Sequence, residues 1–123
     1  MLRDAHVGWA WVVVVANGVA GLWALAAHQW PRFRHRALWW CTGAAYVAVV
    51  VQVVLGTLLV TREDLDAGQF HAFYGFVALA SVGIIYSYRH QLAHRRYLLF
   101  GLGSLFVMGL ALRAIQVGTT RSL

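Results

Sequence analysis

The 123 residues are 61% hydrophobic and only 11% charged, and their formal net charge of +6 comes from ten arginines and no lysine against four acids. A water-soluble domain needs roughly 25% charged residues to clothe its surface, so this composition, with a mean hydropathy of +0.66, excludes one and predicts a chain solvated mostly by lipid. The arginines gather at the ends of apolar runs, where they meet anionic head groups, and this argues against a nucleic-acid partner. The lone Cys41 leaves no intrachain disulfide or cysteine metal centre to build and reads as a small packing residue.

In chain order, the first apolar run covers residues 9–28, close to the roughly 20 residues that cross a bilayer as helix. It lacks the basic start and small-residue cleavage pattern of a signal peptide, so it is expected to be a retained span. The connector 29–36 follows, with Pro31, Arg32, Arg34 and Arg36. A second run spans 37–60, and the connector 61–69 carries Glu63, Asp64 and Asp66. The third run is 70–88; Arg89, Arg95 and Arg96 mark the connector 89–96, and the last run is 97–117. None of the runs alternates as a barrel strand must. Connectors this short force antiparallel neighbours, so the fold expected is all-α: a single transmembrane domain, an integral membrane up-down-up-down four-helix bundle.

Charge orients it. Arginine-rich short loops stay cytoplasmic, so 29–36 and 89–96 are expected inside, and the acids and both termini outside. The arginine bias with alanine and valine richness suggests a bacterial inner membrane. Trp9, Trp11, Trp30, Trp39, Trp40 and Tyr97 lie toward span ends, as interfacial aromatics do; Trp23 reads as packing.

The two halves resemble one another. His6, Trp9, Ala10, Val13, Gly18 and Trp23 fall on His71, Tyr74, Gly75, Ala78, Gly83 and Tyr88 at one offset, and Arg36, Leu38, Gly43 and Tyr46 fall on Arg96, Leu98, Gly103 and Phe106 at another. A duplicated helical hairpin with a pseudo-two-fold axis along the membrane normal accounts for both. The duplication puts His6 and His71 at one depth near the outer face, on helices that are diagonal in a simple bundle. Two imidazoles facing across the axis suit ligation of one haem iron, or of another metal. Ala10 and Gly75 lie one turn below them, leaving room for a flat macrocycle. The same small residues serve any tight bundle, and a histidine at a span end is also simply an interfacial side chain.

Arg113 lies about one turn from the outer end of the last run. An arginine within a span costs roughly 2.5 kcal/mol or more at the bilayer centre; it either pairs with a haem propionate or snorkels outward toward Asp64 or Asp66. Gln52 and Asn17 need partners in lipid, and a helix-to-helix hydrogen bond supplies one; quinone contact is the functional alternative for Gln52. His28 and His90, among the inner arginines, offer a second haem site or solvated side chains. No run contains an acid, which disfavours a proton-coupled transporter.

The segment Gln52-Val-Val-Leu-Gly56, followed across an outer loop by His71 at the head of the next span, resembles haem A synthase, and the chain is similar in outline to one four-helix half of that family and to small di-histidine cytochromes b. The resemblance covers about 46–88. It implies His71 as one haem ligand and His6 as the other. The family's carboxylate beside the substrate haem has no counterpart, Val7 stands where its arginine follows the first ligand, and the span count is about half; its oxygenating activity is therefore not implied. The function expected is a small haem b subunit passing electrons within a larger respiratory-type complex, with other membrane subunits and the lipid bilayer as partners. The competing expectation is a cofactor-free accessory subunit that stabilises such a complex.

Overall fold

The computed structural model describes residues 2–62 and 69–122, with side chains over 4–61 and 71–117. Glu63, Asp64 and Asp66, the acids of the second connector, lie outside the described residues. Within these there are four α-helices and no strand: α1 (Leu2–Gln29), α2 (Arg36–Arg62), α3 (Gln69–Ser87) and α4 (Arg96–Ser122). α1 starts well before the apolar run and α4 outlasts it, because backbone hydrogen bonding continues past the last apolar residue. Three helices are long and apolar enough to cross a membrane, over Asp4–Gln29, Arg36–Thr61 and Ala93–Val117; among the described residues α3 contributes a shorter apolar stretch, His71–Ser87. At 19 residues α3 rises about 28 Å, just under the roughly 30 Å of a hydrocarbon core.

Local chemistry sets the helix ends. Asp4 in the first turn of α1 meets the positive end of the helix dipole. Beyond Gln29, Pro31 opens a single 3-10 turn over Pro31–Phe33, since its ring lacks the N–H needed to extend α1. Arg34 then folds back: its Nε donates to the Ala27 carbonyl at 2.7 Å and its Nη2 to the His28 carbonyl at 3.3 Å, satisfying acceptors that the end of a helix leaves open. The same guanidinium stands 4.8 Å from the Tyr97 ring of α4. Trp23 has a polar role besides packing, its Nε1 donating to the Phe33 carbonyl at 2.8 Å. His35 caps α2, its Nδ1 accepting from the Ala37 N–H at 3.0 Å.

The helices pack in a square closed unevenly. α1 lies broadly against α2 and α4, and α3 against α4, whereas the α2–α3 seam is thin; α1 and α3 are therefore diagonal. Trp9 meets Ala48 and Asn17 meets Ala45, so α1 and α2 run antiparallel, as do α1 and α4, where Gly18 faces Met108 and Gly21 faces Leu105. Glycine lets the α1 and α4 backbones come together: a Cβ on Gly21 would lie 2.8 Å from Leu105 Cγ and 3.0 Å from the Gly101 carbonyl, and one on Gly101 2.8 Å from Leu25. Corresponding positions of the two halves do different work. Gly103 accommodates Ile85, while Gly43 faces open space.

Leu38, Val107, Asn17 and Ser104 are fully buried. Asn17 bonds to the Val13 carbonyl of its own helix at 2.9 Å and to Ala45 of α2 at 3.4 Å, and Tyr46 meets Ser104 across the other diagonal at 3.3 Å. Outside, large apolar side chains face outward, including Trp40, Phe76 and Leu22. In water so much exposed apolar surface would invite association; in lipid it is at home.

Candidate functional site

Two imidazoles meet at one end of the diagonal. His6 of α1 and His71 of α3 have ring centroids 5.9 Å apart with planes at 77°, and both are half-buried. His71 is oriented by α4: its Nδ1 lies 2.8 Å from the Ala114 carbonyl. A carbonyl oxygen only accepts, so Nδ1 carries a proton, and in the neutral ring Nε2 is then the nitrogen with the lone pair. That is how a metal-ligating histidine is usually held.

His6 is positioned by α2. Gln52 donates from Nε2 to the His6 carbonyl at 2.8 Å, fixing the first turns of α1. One helical turn on, Gly56 provides the ring's seat, since a Cβ there would come within 3.1 Å of His6 Cε1. The Gln52-to-Gly56 spacing thus puts a polar anchor and a vacant side-chain position on one face, beneath one histidine. His6 Nδ1 and Gln52 Oε1 are buried without hydrogen-bond partners. Buried polar atoms are normally satisfied, so these two orphans mark a place with unspent bonding capacity.

The other predicted residues are placed as follows. Ala10 is half-buried below His6, and Gly75 below His71 has no neighbour within 4 Å of where a Cβ would be. Arg113, next to the Ala114 that holds His71, is exposed; its Nη1 donates to Gln116 Oε1 at 2.6 Å and its guanidinium stands 5.8 Å from the Tyr74 ring. Its suggested partners Asp64 and Asp66 lie outside the described residues. Gln52 and Asn17 both make helix-to-helix hydrogen bonds. His28 and His90 are exposed and make no ring contact with each other.

Sequence reasoning did not single out the Ala114 carbonyl, because a backbone acceptor has no residue-type signal. It also missed the Trp9 Nε1 bond to the Ala48 carbonyl at 2.8 Å, having read Trp9 as interfacial. That bond ties α1 to α2 one turn below His6.

Two imidazoles sharing one metal ion at about 2 Å from each nitrogen have ring centres roughly 6 Å apart; the observed centroids are 5.9 Å apart, a separation that edge-to-face ring contact also gives. His71 Nε2 makes no hydrogen bond among the described residues, His6 Nδ1 is buried without a partner, and Gly75 leaves open space one turn below His71. Among the described residues there is no cluster of three or more histidine, cysteine or acidic side chains that could hold a metal ion. No protein-family model matches the chain, and neither curated proteins nor solved structures yield a match; the function has to be argued from this geometry.

Proposed function

We propose that the chain is a small integral membrane subunit that holds one b-type haem between His6 and His71 and passes electrons to or from partner subunits of a larger respiratory-type complex. The observation that carries this reading is the diagonal imidazole pair, 5.9 Å between centroids, with the Nδ1 of His71 tied to a backbone carbonyl. Bound there, the haem supplies one-electron redox chemistry. The protein's part is positional. His6 and His71 would hold the haem iron, the Ala114 carbonyl would orient His71, and Gln52 and Gly56 would hold and seat His6. Arg113, beside Ala114, supplies positive charge for a propionate. In this reading the histidine end faces outward across a bacterial inner membrane, and the connectors 29–36 and 89–96 face the cytoplasm, as their arginines favour.

The test is a reduced-minus-oxidised spectrum of the chain purified in mild detergent. Soret and α bands that disappear in His71→Ala are the expected result. Their absence from the unaltered protein, or their persistence in His71→Ala, overturns the haem assignment.

A second reading has its own support. Phe73 and Phe76 are both exposed on α3, at 57% and 69%, and they share a face at helical spacing. A cofactor-free accessory subunit would place such a face against a larger membrane protein, with the imidazole pair as packing. Stoichiometric co-purification of partner subunits without pigment selects this reading over the first.

A further inference from the structure

At the end opposite the histidines a groove of about 530 Å³ opens between α3 and α4, lined by Ile84, Ile85, Leu98, Leu102 and Phe106 and by Arg95. Its walls include side chains that the bundle leaves uncovered: Ile84, Leu102 and Phe106 are each more than half exposed. At its floor Gly103 lets Ile85 of α3 pack directly against α4, because Ile85 occupies the place a side chain there would fill.

The dimensions select the occupant. From the start of α4 at Arg96 to Phe106 the helix rises about 15 Å, half of the roughly 30 Å hydrocarbon thickness; the groove is one leaflet deep. An apolar groove of that length suits an extended acyl chain lying along α4.

The charge selects the head group. Arg34, Arg89 and Arg96 each stand over an aromatic ring, whereas the Arg95 guanidinium has no hydrogen-bond, ion-pair or ring partner among the described residues. It lies just before α4, in a connector without acids. We propose that this groove binds one acyl chain of an anionic phospholipid from the adjoining leaflet, with the lipid phosphate on Arg95. The site is independent of the haem assignment and is tested without it.

The experiment is native mass spectrometry of the full chain in detergent, titrated in parallel with phosphatidylglycerol and phosphatidylcholine. A one-to-one adduct is expected, favouring phosphatidylglycerol by about five-fold, the weight of one cation at an anionic surface. Arg95→Gln removes the preference and leaves phosphatidylcholine binding as it was. Leu102→Trp, which fills the groove from an exposed position, weakens both. Arg36→Gln, an exposed arginine in the other connector, behaves as the unaltered chain. Equal binding of the two lipids overturns the proposal. So does a loss in Arg36→Gln equal to that in Arg95→Gln, which would mean diffuse surface charge, or unchanged binding in Leu102→Trp, which would put the lipid elsewhere.

Discussion

Gly56 is where the histidine site can be perturbed with least disturbance to the rest of the bundle. A Cβ there would stand 3.1 Å from His6 Cε1, inside the about 3.5–4.0 Å at which carbon pairs are most comfortable, so in Gly56→Ala the ring must retreat by several tenths of an ångström. Overpacking costs about 1–3 kcal/mol, and because a ring edge yields more easily than backbone, alanine falls at the low end. Exchanging a helical glycine for alanine returns up to about 1 kcal/mol. The two contributions nearly cancel: Gly56→Ala is expected to unfold within about 1 kcal/mol of the unaltered chain while the His6 ring is displaced. Gly56→Leu has no such offset and expels the imidazole from its seat. The control is Gly43→Leu, where nothing lies within 4 Å of the new Cβ. On the proposed haem assignment, haem content per chain, read from the pyridine haemochrome, is expected to fall modestly in Gly56→Ala, to vanish in Gly56→Leu and to hold in Gly43→Leu, with far-ultraviolet circular dichroism confirming helix in all three. Full haem occupancy with an unchanged spectrum in Gly56→Leu refutes the argument that this glycine seats a ligand.

Gly21→Ala and Gly101→Ala each drive a methyl into the α1–α4 seam, with contacts of 2.8 Å to Leu105 and to Leu25; each is expected to lower stability by about 1–3 kcal/mol in detergent thermal unfolding, while Gly43→Ala does not. Gln52→Ala removes the donor to the His6 carbonyl and should cost about 1 kcal/mol, the usual scale of a hydrogen bond between helices in lipid. It should also speed amide hydrogen exchange around residues 6–10 more than in the rest of α1. Gln91→Cys, made together with Cys41→Ser, puts a single thiol in the arginine-rich connector; in intact cells a membrane-impermeant maleimide is expected to label it only after permeabilisation, and labelling beforehand reverses the proposed orientation.

The helices and connectors were legible in the sequence because they rest on one-dimensional quantities. Apolar run length marks where a helix is stable in lipid, and Pro31 and the arginine clusters mark where it stops. The matched positions of His6 and His71 were legible too, since equal offsets within a repeat put residues at equal depth. The faces of the helices were a different matter. All four are apolar nearly all round, and in a bilayer the lipid is as apolar as the bundle interior, so hydrophobic periodicity does not say which side turns inward. Trp9 illustrates the limit: its type and position fit an interfacial belt, yet its indole N–H is spent on Ala48 of α2.

By itself the sequence determined that this chain is helical, apolar enough to be solvated by lipid, divided by two arginine-rich connectors and furnished with two histidines at matching heights. Tertiary structure alone decided that glycines join α1 to α4 most closely while α2 and α3 barely touch, that Ala114 and Gly56 orient the two imidazoles, and that Arg95 lines an open groove beside α3. The reason is physical: composition and run length set the solvent and the secondary structure, whereas close packing depends on which small residues find facing partners, and that is a property of pairs of helices.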